Sequence, residues 1–454
     1  MYFGQSKIGY TGISTVRAQF EGKDCYRMDS SMRTHIPAFD TQMDIQADST
    51  IYVNDKNTPV FETFTMSSAG HDVNVRARFS ATEIVAEVDA GGAKSSQTIL
   101  IPPGTNLVGD TLFPSSNMAM KVGDKLVESM FDPLSLKIEE VRSDVLRVEP
   151  IEFDGSTRDA FVIRSSGTTM GDITCWQDDK GEVLKAVGPL GLTMIRETEE
   201  TAKSLTGPNQ SGTYVPPPDL AAAAAASVSS DIPNPRNVKY LKIRFSGISD
   251  KALVISDNLQ KATLLGTGPY TVEYEISHAN PDQTKAIAIP IADKNMAEFL
   301  EENAYVQSAN PEITRLARQI VGRETNACKA ASLLRAWVNE NMRANGDVAI
   351  LRSSLDILHT KTGVCRDYAI LYTALARAAG IPTRVVSGLV YWKGKFYYHA
   401  WAESYMYKWL PVDATLPTDF VDATHIKFAQ GDATTMFGVA KLMGMIKADV
   451  IQVK

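Results

Sequence analysis

The sequence has few cysteines, no Cys-x-x-Cys pair and no long apolar run, and each absence excludes a class of protein. Four cysteines in 454 residues are too few for a disulfide framework. Without a Cys-x-x-Cys pair, a structural zinc site of the ribbon type is not expected. No apolar run approaches the length of a membrane span, so we expect none. The oxygen-rich loop of a calcium-binding EF-hand is also missing.

An excess of basic residues is missing as well. Lysine and arginine number 46 against 53 aspartates and glutamates, which gives a net charge of −7 and a pI near 5.5. This balance argues against nucleic acid as the main partner. The hydrophobic fraction of 44% and the charged fraction of 22% are ordinary for globular proteins. A chain of this length has room for two to four domains.

Turn signals and alternating apolar residues predict the domain organisation. Residues 1–205 are predicted to form a β-rich domain, with a curved half-barrel as the expected form, and its strand spacing resembles the lipid-carrier-like β domains of bacterial envelope proteins. Residues 206–230 are rich in Gly, Pro, Ser and Ala, and we interpret them, alanine run included, as a linker and not a core. A small β domain is predicted at 231–298 and a core domain at 306–454.

The core domain begins with a change from strand patterns to helix patterns. Asn310 is a predicted N-cap, followed by a proline and an acidic residue in the first turn. A second helix is predicted from about Thr325 to Arg343. A third, short helix starts at Ser353, three residues before an aspartate that completes a capping pattern.

Cys365 lies where a further helix is predicted to begin. Gly363 interrupts the preceding segment, and apolar residues then recur at spacings of three and four. Gly380 and Pro382 are typical of a helix end. Unpaired backbone N–H groups and the helix dipole stabilise a thiolate at such a position. The other cysteines, Cys25, Cys175 and Cys328, are expected to be buried thiols. Cys25 and Cys175 could instead pair in an oxidising compartment.

Two candidate partners for this thiol follow on predicted strands. His399 lies in an aromatic run after a hairpin turn at Lys393-Gly394, and Asp413 ends a third run. Both are seven residues from Met406, so a hairpin centred there predicts that they face each other directly. The first turn sets Gly388 opposite His399, where a glycine either leaves room for the imidazole or marks a bulge.

Taken singly, these residues have ordinary explanations. A lone cysteine is usually a small buried hydrophobe, a histidine on an aromatic strand usually packs at a core edge, and an aspartate here often forms a turn. In this order and placement they are instead the parts of a thiol nucleophile, its base and its orienting group. The sequence therefore predicts a catalytic group of Cys365, His399 and Asp413.

Four ordered motifs carry a resemblance to a known family. They are G-x-C-x-D-Y-A at 363–369, G-I-P-x-R-V-V-S-G at 380–388, H-A-W-x-E at 399–403 and W-x-x-V-D-A-T at 409–415. Together they resemble the transglutaminase-like superfamily of papain-type thiol enzymes, in its bacterial multidomain form. The resemblance implies an α+β core in which the cysteine helix packs on an antiparallel sheet, behind the preceding β domains. It also implies Cys365 as nucleophile, His399 as general base and acid, and Asp413 as the orienting residue.

The chain departs from the animal transglutaminases in one respect. There, a tryptophan N–H upstream of the cysteine helps to bind the oxyanion, but no tryptophan lies between Trp337 and Trp392 here. The backbone N–H of Cys365 is one candidate donor. The second donor is left open.

The resemblance implies acyl transfer at an amide carbonyl through a thioester, with hydrolysis of a peptide bond or a glutamine side chain expected as the default. The partners would be a protein or peptide substrate and an amine acceptor if one is used, with no metal or organic cofactor. Two alternatives remain open: a cross-linking transglutaminase, and a binding or scaffold module that keeps the fold without turnover. A secreted or periplasmic, cell-envelope location is expected from the β domains before the core and their resemblance to bacterial envelope proteins. The cytoplasm is the alternative, because the start of the chain fits either location.

Overall fold

The structure is a computed structural model and describes residues 1–38, 41–109, 120–153, 155–167, 171–204, 217–266 and 268–454. Contacts divide the chain into two compact units. The first contains residues 1–89 and 96–220, and the second contains residues 90–95 and 221–454. Within these described ranges, no helix is long and apolar enough to cross a membrane.

The first unit is built mainly from antiparallel strands, as the alternating pattern predicts. Its elements are β1 (Tyr2–Phe3), β2 (Ser6–Lys7), β3 (Gly9–Phe20), β4 (Lys23–Ala38), β5 (Thr41–Val53), β6 (Pro59–Ser68), β7 (His71–Phe79), β8 (Glu83–Ala90), β9 (Ala93–Leu100), β10 (Lys125–Asp132), β11 (Lys137–Phe153), β12 (Ser156–Ser166), β13 (Ile173–Gln177), β14 (Val183–Val187), β15 (Thr193–Ile195) and α1 (Glu199–Lys203). Strands β3 to β9 form a seven-stranded sheet in chain order, and β10 to β15 with β1 and β2 form an eight-stranded one.

The second unit mixes helices and strands. Its elements are α2 (Leu220–Ala224), β16 (Ala226–Ser227), β17 (Tyr240–Ile248), β18 (Gln260–Gly266), β19 (Tyr270–Ser277), α3 (Pro311–Val321), α4 (Ala327–Asn341), β20 (Arg343–Ala344), α5 (Ser354–Thr360), β21 (Thr362–Gly363), α6 (Cys365–Ala378), β22 (Thr383–Trp392), β23 (Lys395–Tyr405), β24 (Trp409–Val412), β25 (Ile426–Gly431), α7 (Met436–Val439) and β26 (Lys447–Val453). The predicted helices are present, and the predicted α+β class is confirmed.

A buried helix packed on an antiparallel sheet forms the centre of this unit. The sheet has the strand order β16-β23-β22-β25, with β24 also paired to β23. Helix α6 is buried along most of its length and contacts β22 and β23. The hydroxyl groups of Tyr372 and Ser404 join helix and strand at 2.9 Å. This arrangement fixes the start of α6 beside the strand that carries His399.

A second sheet joins the predicted small β domain to the end of the chain. Its order is β18-β19-β17-β26, so the last strand pairs with a strand from the 231–298 segment. One apolar cluster contains Phe245 from this sheet and Phe396 from the central one, with ring centroids 5.8 Å apart. The shared cluster argues against separate folding of 231–298 and 306–454, and the boundary between them stays a prediction.

The predicted linker is only partly covered, because residues 206–216 lie outside the described residues. After them, the alanine run forms α2, and Ala226 in β16 pairs with Phe396 of β23. Ala224 and Ala226 are buried, and Ala226 belongs to the apolar cluster. The prediction that the alanine run stays outside any core is therefore wrong. Its small side chains let the backbone pair closely with the central sheet.

Candidate active site

Cys365 is the first residue of α6, as predicted. A buried ion pair holds the turn before it: Asp367 Oδ2 lies 3.4 Å from Arg352 Nη2 and accepts the backbone N–H of Val364 at 2.8 Å. A Cβ on Gly363 would come within 2.3 Å of Asp367 Oδ2 and 2.7 Å of Arg352 Nη2. The glycine therefore lets the chain pass this pair and delivers the thiol to the positive end of a 14-residue helix.

His399 lies in β23 directly across from Gly388 of β22, as the predicted turn requires. A Cβ at Gly388 would lie 1.9 Å from the carbonyl oxygen of Ile426 and 3.0 Å from Cη2 of Trp401. The register between β22 and β25 also shifts between Ser387 and Gly388. The shift skips Phe428 of β25, so it favours the bulge interpretation, with the extra residue on the strand next to Gly388. The space beside Gly388 holds a neighbouring backbone and the edge of an indole ring.

Asp413 directly follows β24, and its carboxylate contacts His399. Oδ2 of Asp413 lies 2.8 Å from Nε2 of His399. The predicted hairpin register is nevertheless wrong, because β23 and β24 pair Tyr405 with Trp409 and the turn is centred one residue later than predicted. Continued along the strands, this register makes His399 and Asp413 a diagonal pair, which side chains of this length can still bridge.

Charge and hydrogen bonding in this group favour a thiolate beside an imidazolium. Burial alone would raise the pKa of the Cys365 thiol, but the charge and hydrogen bond of His399, with a bond to the Ala400 backbone, lower it. Burial also opposes the charge on His399, yet Asp413 and Cys365 raise its pKa to about 10. Although burial disfavours the Asp413 carboxylate, His399 holds the pKa of that carboxyl well below its usual range. The three groups together shift the balance towards the thiolate–imidazolium ion pair.

Two of the other cysteines have the opposite surroundings. Burial raises the pKa of Cys175 to about 12. Burial and two nearby carboxylates raise the pKa of Cys328 to about 11. Both of these thiols and that of Cys25 are buried, whereas Cys365 is only partly so. Thiolate chemistry near neutral pH is therefore favoured at Cys365.

We expect a limiting amount of iodoacetamide to label Cys365 before the other thiols of the native protein. A thiolate reacts where a neutral thiol does not, and His399 stabilises the thiolate of Cys365. Peptide mapping by mass spectrometry after a brief exposure at neutral pH measures the order of labelling. Cys365→Ala should lose the fast label and Cys328→Ala should keep it. Faster labelling of Cys25 or Cys328 would contradict the assignment of the reactive thiol.

Asp413 has a second imidazole partner that the sequence patterns did not lead us to predict. His425 Nε2 lies 3.1 Å from Asp413 Oδ2, and the His425 side chain is 3% exposed. The other carboxylate oxygen, Oδ1, accepts the backbone N–H and the hydroxyl of Thr415 at 2.9 and 2.7 Å. The missed signal is a repeat. Val-Asp-Ala-Thr occurs at 412–415 and again at 421–424, directly before His425.

His399, Asp413 and His425 also form a group that could hold a metal ion, since one ligand atom of each lies within 4.8 Å of the others. These atoms are already paired, because both Nε2 atoms face the same oxygen of Asp413. A ring nitrogen that donates its proton to a carboxylate has no lone pair for a metal. The pairing favours a site without metal, which stays a prediction.

The fold and these side chains form an α+β core with a cysteine at a helix start, beside a histidine on an antiparallel sheet. Residues 314–414 match the family model of the transglutaminase-like superfamily. The match confirms, over these residues, the resemblance found in the motifs. The match contains Cys365, His399 and Asp413 and ends before His425.

Two proteins are similar to this chain over part of its length. An uncharacterized protein of Mycobacterium leprae (strain TN) is 29% identical over 157 residues, which are 33% of this chain and 54% of that protein. An uncharacterized protein of Haemophilus influenzae is 30% identical over 149 residues, which are 26% of this chain and 40% of that protein. The chain thus spans about half of one relative and less of the other.

Two solved structures are also similar. A candidate cysteine protease from Cytophaga hutchinsonii is 20% identical, with a TM-score of 0.33, and the match covers 48% of this chain and 86% of that one. The periplasmic domain of TgpA from Pseudomonas aeruginosa, bound to ethylmercury, is 18% identical, with a TM-score of 0.28, and the match covers 44% and 86%.

Proposed function

We propose that the second unit is a cysteine-dependent acyl-transfer enzyme that acts on amide bonds through a thioester, with hydrolysis as the default outcome. The observation that carries the proposal is one connected group. The Cys365 thiol begins α6 and is hydrogen-bonded to His399, whose Nε2 lies 2.8 Å from Asp413 Oδ2. This is the set typical of covalent catalysis by cysteine: a nucleophile, a base within reach and a group that orients the base.

In the first half of the proposed reaction, the Cys365 thiolate attacks the carbonyl carbon of the amide. The carbonyl electrons move to oxygen, and the backbone N–H of Cys365 at the helix start is a candidate donor to that oxyanion. His399 then donates a proton to the departing nitrogen, the C–N bond breaks and an amine leaves. Because Asp413 engages Nε2, the nitrogen left for this transfer is Nδ1. The product is a thioester on Cys365.

In the second half, water attacks the thioester carbonyl while Nδ1 of His399 takes a proton from it. The C–S bond breaks and a carboxylic acid leaves, which restores the thiolate and the imidazolium. An amine in place of water would give a new amide, and this is the cross-linking alternative. Transamidation needs a shaped, dry channel for the amine to compete with a large excess of water, and the sequence carries no motif for one.

We expect glutamine-containing and ordinary peptides to give free acid products both with and without an excess of a primary amine. Water is the abundant acceptor at an open thioester, so the amine should change the product little. Mass spectrometry of the products separates acid from amide, and Cys365→Ala serves as the blank. Efficient incorporation of amine at modest concentration would replace the hydrolase proposal with a transglutaminase.

A binding or scaffold module is the alternative from a different class. It would keep the fold but form no covalent intermediate. A thiol-reactive peptide amide separates the two, because an enzyme should yield an adduct on Cys365 whose formation requires His399. The substrate class we propose is protein or peptide. A secreted or envelope location, with the cytoplasm as the alternative, stays a prediction of the sequence.

A further inference from the structure

His425 sits between two carboxylates. Its Nε2 lies 3.1 Å from Asp413 Oδ2, and its Nδ1 lies 3.2 Å from the carbonyl oxygen and 3.5 Å from Oδ2 of Asp422. The ring meets those of His399 and Trp401 edge-on, at centroid distances of 5.7 and 5.4 Å. A buried and fully oriented imidazole therefore contacts the proposed catalytic group without being one of its three members.

Asp422 repeats the geometry of Asp413. In both residues, Oδ1 accepts the backbone N–H and the hydroxyl of the threonine two positions later, which leaves Oδ2 for a cation. Oδ2 of Asp422 lies 2.8 Å from Nη1 of Arg236. Burial opposes the charge on Asp422, but His425 and Arg236 lower the pKa of its carboxyl. Asp422 is therefore an anion at neutral pH.

Both ring nitrogens of His425 consequently face atoms that only accept hydrogen bonds. A neutral imidazole has one N–H group, so one of its nitrogens would point a lone pair at a carboxylate or a carbonyl oxygen. The imidazolium form donates from both nitrogens. Burial disfavours this charge, yet the hydrogen bonds and charges of Asp413 and Asp422 raise the pKa of His425. The surroundings of His425 therefore fit a buried imidazolium whose ring orientation is fixed.

We propose that His425 is a positioning residue that, as an imidazolium, holds the carboxylate of Asp413 and sets the pH range of the Cys365–His399 ion pair. This proposal rests on the proposed function of Cys365. His425 acts through Asp413 and touches neither the thiol nor the scissile bond. The role of His425 differs from that of the catalytic group, because His425 supplies a fixed charge and transfers no proton.

The charges around His425 give the direction of the effect. Asp413 and Asp422 face its two nitrogens, Arg236 neutralises Asp422 from the far side, and the ring of His399 is its neighbour. A nearby positive charge lowers the pKa of every ionisable group it faces. His425 therefore lowers the pKa of the thiol and that of the catalytic imidazole together, which moves the whole window of the ion pair towards lower pH.

The test is the rate of Cys365 alkylation by iodoacetamide, measured from about pH 4 to about pH 11 in the uncleaved 454-residue chain. The lower inflection reports protonation of the thiolate and the upper one deprotonation of His399. His425→Gln keeps a hydrogen-bond donor towards Asp413 and removes the charge. Both inflections should then move upward by about one pH unit. Inflections that stay in place, or that move to lower pH as they would if Asp413 were only loosened from the site, would overturn the proposal.

Two further measurements keep the outcome clear. His359→Gln removes an exposed histidine that pairs with Glu312, so its profile should match that of the wild type. If His425→Gln does not fold, ¹⁵N NMR of histidine-labelled wild-type protein at about pH 7 decides the matter. Two protonated ring nitrogens on His425 support the proposal and a neutral tautomer refutes it.

The two proposals also fail in different ways. A wild-type profile with a single inflection near the ordinary thiol pKa of about 8.5 would contradict the proposed function. A wild-type profile with two inflections that His425→Gln leaves in place would contradict only the role of His425.

Discussion

Cys365→Ala is expected to lower the turnover of a peptide amide by on the order of ten-thousandfold or more. Without the thiolate, no thioester forms, and His399 and Asp413 have no nucleophile to activate. The fold should remain, because Cys365 is only partly buried and alanine suits the start of a helix. Steady-state release of the amine and acid products, compared with that of the wild type, measures the loss.

Cys328→Ala is the matched control for this variant. Cys328 lies in the same unit, is buried, and has its thiol 3.8 Å from the carbonyl oxygen of Asp282. Its removal leaves a small cavity and should cost stability more than activity. Circular dichroism and thermal melts of both variants separate the two effects. If the Cys365→Ala protein folds and still releases acid product at the wild-type rate, cysteine catalysis is excluded.

Asp413→Asn is expected to lower turnover by about a hundredfold or more while the fold stays intact. The carboxylate accepts from Nε2 of His399 at 2.8 Å and thereby orients the ring and stabilises its charge. An amide of the same size keeps the packing but loses the charge, and its NH₂ group can point at the ring. The pKa of His399 should fall as well, so the alkaline limit of activity should move to lower pH.

A control of matched sequence exists for this variant. Asp-Ala-Thr occurs a third time at 432–434, and Asp432 Oδ1 accepts the backbone N–H of Thr434 at 2.9 Å, as in the other two segments. Asp432→Asn therefore tests the cost of changing such a turn away from the site, and its activity should remain near that of the wild type. Equal rates for Asp413→Asn and Asp432→Asn, both well folded, would remove Asp413 from the catalytic group.

Local signals were sufficient to predict the cysteine helix. Gly363, the apolar spacing after Cys365, and the pair Gly380 and Pro382 all act within a few residues of the chain, and α6 runs from Cys365 to Ala378 between them. The hairpin turn at Lys393-Gly394 was equally local, and its register is the predicted one. Helix caps and tight turns depend on φ, ψ and hydrogen bonds of adjacent residues, which sequence patterns report directly.

The second hairpin shows where local reasoning fails. Symmetry in sequence placed the turn one residue too early, yet His399 and Asp413 still meet, because the diagonal pair is within reach of the two side chains. The role of Gly388 was also ambiguous from the sequence, because a distant segment of the chain sets its surroundings. Its environment is made by Ile426, which lies 38 positions further along the chain. A bulge depends on the neighbouring strand, and sequence patterns along one strand do not report it.

The sequence by itself determined the chemistry of the site: a thiol at a helix start, an imidazole on a strand and a carboxylate after the next strand, in motifs of the transglutaminase-like superfamily. Only the tertiary structure decided how Asp413 is held, because His425, directly before β25, contacts its carboxylate and is itself paired with Asp422. It also decided that β26 closes the sheet of the 231–298 segment. The physical reason is that ion pairs and strand partners between distant segments depend on how the chain packs in three dimensions, while caps and turns depend on adjacent residues.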